Sequence, residues 1–301
     1  MGYPRAIRGL GKDRKMDRDY TYFTAGIRQA QPSSSNLLST SKYLNHMGLR
    51  DWMVTHFLRR NGPDIPIPSD PVMGLNQAMD DLRDEKEMTR LIDEEKEKNP
   101  KVRKWLDEER PYMGLTKEDF SKFDPDSFGG IYYRYITDNN YELNLGWGYE
   151  VPKDDLTYIR IRSGQVHDFE HLMTGGQFNS LGELLPYYFR LSNPFSHFSP
   201  ELAAGISQMF IFGGTRLVMR AFLHYPQVWP TVLDLIQRGI KIGKASESTH
   251  MMNYEAALHL PIPEAREMLG FRHAEDVDTA EMDLIYTEQV VPGEAMQEAA
   301  E

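Results

Sequence analysis

The chain of 301 residues contains no cysteine. Disulfides and thiolate metal sites are therefore excluded, and any metal has to be met by His, Asp, Glu or water. Net positive charge is also missing. Against 34 Lys and Arg stand 45 acids, a balance of −11 that argues against wholesale nucleic-acid binding, because phosphates would be repelled. The opening stretch MGYPRAIRGLGKDRKMDRDY has no apolar signal core, and Ala6 does not fit a myristoylation signal. Sustained strand alternation is absent beyond short pieces such as YIRIR, and no internal repeat stands out. These absences leave one all-α domain with extended ends, in a chain long enough to bury a full core.

What is present divides the chain into three parts. Residues 1–35 read as a basic arm, with Arg5, Arg8, Lys12, Arg14, Lys15 and Arg18. Such an arm is either a solvated tail or a weak electrostatic contact with an anionic membrane. Residues 36–272 read as the helical domain. Leu37, Leu38, Leu44, Met47, Trp52, Val54, Phe57 and Leu58 give a helix over 36–60, ended by the proline-rich NGPDIPIPSDP. Residues 72–110 are helical, and DDLRDEKEMTRLIDEEKEK places mixed charges three and four apart, as on a solvated face. Pro100 starts a short helix through Leu106. A helix is expected to be capped near Asp124 with Pro125 at its first position. Another runs from a cap at Asp154 or Asp155 through Met173, ended by Gly175 and Gly176. Ser180 restarts a helix, and Ser199-Pro200 begins the next. After Arg272 come nine acids and neither Lys nor Arg, so residues 273–301 read as a mobile acidic tail.

The segment AAGISQMFIFGGTRLVMRAFL, residues 203–223, has the length of a membrane span. Arg216 and Arg220 make a spanning helix costly, so the expectation is a soluble protein that touches a membrane surface.

The stretch QVHDFEHLMTGGQFNSLGELL carries the chemistry. On a helix His167 and His171 project from one side, one turn apart, with Asp168 on the flank. Two imidazoles at that spacing chelate one cation, and Asp168 serves as a third ligand or orients an imidazole. Glu183 follows a glycine turn, and an antiparallel hairpin of two helices brings it back over the histidines. Two nitrogens and two oxygens suit zinc, and also iron, manganese or cobalt. Rival readings use the same residues. Ser180 and Glu183 fit a capping box, and Asp168 can pair with Arg162 or Arg160. The run HDFEH also fits the inverted metalloprotease pattern, with Glu170 as general base and Glu247 as a distant ligand, although that motif belongs in a mixed α/β domain.

These residues resemble the coenzyme Q biosynthesis protein four family. Its signature is His-Asp-x-x-His, eleven residues, then Glu, which here is His167, Asp168, His171 and Glu183. The runs FGGTRL (212–217) and NYEAALHLPIPEAREMLGF are similar to later family segments, and the likeness covers roughly residues 36–272. Two features depart from the pattern. Phe169-Glu170 stands where two apolar residues are usual, and the insert YELNLGWGYEVPKDD is longer.

The resemblance implies an α-helical, often dimeric protein, peripheral at the cytoplasmic face of a respiratory membrane. Such a protein works beside other ubiquinone-biosynthesis enzymes on a polyprenyl quinone precursor. The implied step replaces the ring carboxyl of a polyprenylated 4-hydroxybenzoate by a hydroxyl. His167, Asp168, His171 and Glu183 would be both the catalytic residues and the ligands of one divalent ion, with zinc favoured. Redox-inert zinc does not activate oxygen, so the oxidative half would need a redox metal or oxygen reacting with the substrate itself. Long isoprenoid lipids are bound between apolar helices. Here the candidate groove is the 203–223 segment with Phe212 and Arg216, and the face of Tyr132 and Tyr133. A non-catalytic organiser that holds such lipids for other enzymes is the alternative.

Overall fold

The computed structural model describes residues 40–61, 71–111, 114–140 and 151–289. Two compact units divide the chain at Asn45 and His46. The first has its described part in the turn Lys42–Asn45, where the Lys42 ammonium lies 5.3 Å from the Tyr43 ring centre. The basic arm of residues 1–35 lies outside the described residues. The division between the two units coincides with an interruption of the expected 36–60 helix. His46 is extended there, and its Nδ1 accepts the Leu49 amide at 3.0 Å.

The helices of seven residues or more in the second unit are α1 Met47–Leu58, α2 Pro71–Leu82, α3 Glu85–Lys98, α4 Pro100–Asp107, α5 Phe128–Asp138, α6 Asp155–Gln165, α7 His167–Thr174, α8 Leu184–Ser192, α9 Pro200–His224, α10 Trp229–Ala245, α11 Ile262–Leu269 and α12 Ala280–Tyr286. Among the described residues there is no strand; one isolated bridge joins Ser127 and Pro261.

Local signals set many of the ends. Asp84 accepts the Glu87 amide, with acids in the first turn of α3 and lysines in the last, as the helix dipole favours. The solvated face of α3 carries Arg90 between Glu87 and Glu94. Glu95, by contrast, is buried and accepts the Ser199 amide at 2.8 Å. Asn99 and Pro100 start α4, and Asp154 caps α6. Two expectations fail. Ser127, not Asp124, caps α5: its Oγ accepts the Gly130 amide, while the Asp124 carbonyl takes the Ser127 amide and hydroxyl in a preceding turn. The helix expected from Asp154 through Met173 is broken at Val166, immediately before His167.

Three apolar clusters form the core, and α9 contributes to all of them. The largest joins Phe128, Phe169, Leu185, Phe189, Leu217 and Leu235. A second joins Ile92, Val102, Trp105, Ile159 and Leu202. The third joins Leu49, Trp52, Leu75 and Met79, with Met209, Phe212 and Met219 of α9 against it. By length and composition α9 could cross a membrane. Part of its apolar surface packs into all three clusters, while Ile211, Phe222 and Leu223 stay exposed. Between α8 and α10 the backbones nearly touch. A Cβ at Gly243 would meet the Ser192 hydroxyl and the Phe189 carbonyl, so a larger residue would force the helices apart.

The expected acidic tail is corrected over residues 273–289. Val277, Met282 and Ile285 pack on the largest cluster, and Tyr286 is almost wholly buried. The apolar side chains are interleaved with the acids, so the charge count hid a strap with one inner face. Residues 290–301 lie outside the described residues.

Candidate metal centre

Helix α7 ends at Gly175, whose φ of +88° belongs to the left-handed region and whose Cβ, if it had one, would overlap the Glu275 carbonyl. The Gly175 and Gly176 amides both donate to the His171 carbonyl at 2.9 Å. A loop then carries the chain back to α8. Its polar groups are met locally and from the strap. Asn179 Oδ1 accepts the Gly182 amide at 2.8 Å, Asp283 accepts the Leu181 amide at 2.7 Å, and Gln177 Oε1 accepts the Thr279 amide at 2.8 Å.

This turn delivers Glu183 to the two histidines. Its Oε2 lies 3.1 Å from His167 Nε2, and its Oε1 lies 3.5 Å from His171 Nε2. One ligand atom from each of the three lies within 4.8 Å of the others. The Gln177 carbonyl sits 3.1 Å from His171 Nδ1. A carbonyl only accepts, so Nδ1 carries a proton and Nε2 is the atom that faces Glu183, as a donor when protonated and as a lone pair for a cation when not. His167 Nδ1 is buried without a partner. Burial alone would lower the His167 pKa, but the Glu183 carboxylate outweighs it and pushes it up to about 9. Burial acts against Glu183 too, yet His171 and His167 hold its carboxyl well below the usual range. Two imidazole nitrogens and a carboxylate, drawn from two helices, make a donor set that fits a divalent cation.

Asp168 stands on the flank, as expected, but outside this group of three. Its Oδ2 accepts the Tyr132 hydroxyl at 3.3 Å. Burial first, then Asp168, raises the Tyr132 pKa, so the phenol stays protonated. Aromatic faces border the imidazoles: Phe178 stacks on His171 at 4.8 Å and Tyr187 on His167 at 5.8 Å. Tyr187 in turn feels the Arg216 guanidinium. The four residues proposed for a groove have different immediate neighbours. Tyr132 and Arg216 each lie one residue away from the centre, through Asp168 and Tyr187. Tyr133 packs on the largest cluster, and Phe212 packs in the cluster of α1 and α2.

The rival readings do not form. Helix α8 has no side-chain cap, so the Ser180–Glu183 box is not made and the Glu183 carboxylate is turned to the histidines. Arg160 pairs with Asp80 at 2.9 Å, and Arg162 pairs with Glu255. Glu170, the general base of the protease reading, is fully buried, with both oxygens within 2.7 Å of Arg190 Nε and Thr249 donating to it. A base locked against an arginine cannot reach a substrate, and that assignment is withdrawn. Glu247, its distant ligand, lies against Gly270. The sequence reading missed Gln177, Phe178, Tyr187 and Arg190. Only Phe178 and Gln177, inside the return loop, stood close enough along the chain to be suspected.

With this geometry in place, the comparisons can be read. The sequence profile described as coenzyme Q (ubiquinone) biosynthesis protein Coq4 matches residues 86–275, a span that holds His167, Asp168, His171 and Glu183. The chain belongs to the Coq4 family. Coq4 membership gives it a role in ubiquinone biosynthesis, alongside the other proteins of that pathway. Comparison with individual curated protein sequences finds no match. Among solved structures, the chain is similar to a crystal structure, from Nostoc punctiforme, of a protein named for ubiquinone biosynthesis. The TM-score is 0.52 at 19% identity, covering 76% of this chain and 98% of that one, and the likeness shows the shared fold. The Coq4 segment runs from α3 to the start of the strap, so α1, α2 and α12 lie outside it.

Proposed function

We propose that this Coq4 protein is an enzyme that removes the ring carboxyl of a polyprenylated 4-hydroxybenzoate-derived precursor as carbon dioxide and leaves a hydroxyl in its place, with molecular oxygen as co-substrate and two-electron oxidant. It would work peripherally at the cytoplasmic face of the respiratory membrane. The observation that carries the reading is the convergence of His167, His171 and Glu183, drawn from two helices onto one point. A divalent ion held there, zinc or else iron, manganese or cobalt, would supply Lewis acidity and a template for the phenolate or carboxylate. The chain's own residues do the rest. Gln177 fixes the His171 ring, and Tyr132 restrains Asp168, which would act as a ligand or as a support for His167. Phe178 and Tyr187 offer flat apolar walls for an aromatic ring. Arg216, beside Tyr187, is placed to attract the substrate's anionic group.

The organiser reading draws support from one feature: Ile211, Phe222 and Leu223 of α9 are exposed, as on a surface that holds lipid without converting it. The two readings part on Glu183→Gln. Cells relying on that variant should accumulate a ring-carboxylated polyprenyl precursor, seen by mass spectrometry of extracted lipids. Normal quinone levels with an empty metal site would leave the organiser standing.

A further inference from the structure

A second concentration of charge lies where the end of α1 meets α9. Arg59 caps the C-terminus of α1, and Arg216 and Arg220 stand one turn apart on α9. Arg59 is 8% exposed; its Nε donates to the Arg60 carbonyl, and its Nη1 is buried without an acceptor. Arg220 is 7% exposed and donates only to neutral oxygens, the His56 carbonyl and Asn61 Oδ1, both at 2.8 Å. Arg216 has the neutral Tyr187 phenol beside it. Among the described residues no carboxylate forms an ion pair with any of the three; Glu288, the nearest acid in this network, pairs with Arg60 and Tyr225. The bonds to His56 and Asn61 seat Arg220 at the end of α1 beside Arg59, and burial followed by Arg216 and Arg59 lowers its pKa, so both other guanidiniums lie within electrostatic reach of Arg220.

A guanidinium does not shed its proton at any ordinary pH, so this repulsion has no internal relief. A buried charge of this kind is tolerated when an opposite charge arrives with enough acceptors to fill the donors. A carboxylate brings one charge and two oxygens. A phosphate group brings up to two charges and at least three oxygens, which matches three forks better. We propose that Arg59, Arg216 and Arg220 form a phosphate-binding site at the junction of α1 and α9. The apolar rim bears on where that phosphate comes from. Leu58, beside Arg59, and Leu223, three residues beyond Arg220 on the same side of α9, are 52% and 47% exposed. That surface suits a phosphate carried by a lipid, while free phosphate would need only the arginines. Arg216 is shared with the substrate reading, but Arg59 and Arg220 lie outside the group of His167, His171 and Glu183, so the site is tested through Arg59.

The test uses the full chain. In one arm inorganic phosphate is titrated by calorimetry, and thermal unfolding is followed in phosphate and in chloride at equal ionic strength. In the other, sedimentation is measured with vesicles of phosphatidylcholine alone and with one part in five of phosphatidic acid. Saturable phosphate binding is expected, with a raised melting temperature in phosphate only. Arg59→Gln should weaken it at least tenfold while leaving bound metal, and the melting temperature in chloride, unchanged or higher. A residue of merely structural value would instead lower that temperature. Arg59→Lys, which keeps the charge and loses the fork, covers the case of a misfolded glutamine variant, and it should bind phosphate more weakly than the parent. Arg59-dependent binding to the phosphatidic acid vesicles identifies a lipid phosphate. Arg59-dependent binding of inorganic phosphate without vesicle binding identifies a soluble one. Absence of any Arg59-dependent binding in both arms, with no phosphate-specific thermal shift in the parent chain, overturns the site.

Discussion

Glu170 and Glu183 both sit beside α7, one on its inner side and one at the start of the next helix. Glu170 meets Arg190 through both oxygens, with the Thr249 hydroxyl added, and none of that group reaches solvent. Glu183 meets two imidazoles and keeps part of its surface open. The difference lies in what the partner can give up. Arg190 holds its charge at every pH, so Glu170 is permanently committed. An imidazole can yield its proton, so the charge beside Glu183 is replaceable, and a cation can take the proton's place.

The strongest way to break this comparison is to delete each acid in metal-free protein. Glu170→Ala strands a buried guanidinium and should cost about 3–5 kcal/mol in urea unfolding. Glu183→Ala leaves His167 free to lose its proton, and its cost should stay below about 1.5 kcal/mol. Equal losses would mean that both carboxylates are structural.

Metal content sharpens the contrast. The parent chain should retain about one divalent ion by elemental analysis, and His171→Ala should retain almost none. Arg190 variants that still fold should keep it. Asp168→Asn then distinguishes the two roles open to that residue. As a neighbour acting through His167 and Tyr132, it should weaken the metal by about 10–100-fold; as a direct ligand it should behave like His171→Ala.

The smallest expected effect comes from the committed side. His250 is buried near Arg190 and Arg162, and burial followed by those cations holds its pKa well below the usual value. The unfolded chain takes a proton at about 6.5 and the folded one only at lower pH. Stability from this group is therefore complete above that pH. It falls by up to about 1.4 kcal/mol per unit as the solution is acidified toward the folded pKa. Urea midpoints at two pH values should show this slope in the parent and lose it in His250→Gln.

How much of this could be read from the sequence depended on distance along the chain. Helix signals within four residues were legible at Pro100, Asp154 and Gly175, and so were the paired histidines with Glu183 after eleven intervening residues. The box at Ser180 and Glu183 had the right spacing too, but tertiary partners won: Asp283 took the Leu181 amide, and the histidines took the carboxylate. Arg190, Thr249 and the strap could not be foreseen, because each reaches α7 or its loop from 20 to about 100 residues away. Periodicity marks that a face is buried without saying against what. For that reason α9 read as a membrane-like segment until its three clusters were in view.

The docked strap has one further consequence. Its Val277 amide donates to the Gly175 carbonyl, and Thr279 and Asp283 hold the loop that ends at Glu183. Whatever binds at the histidines favours the conformation in which those bonds are made. By thermodynamic reciprocity, whatever presses the strap down tightens binding at the histidines by the same factor. The strap is thus a handle on the centre from outside the Coq4 segment proper: a substitution within residues 277–286 that loosens it should weaken whatever binds at the histidines.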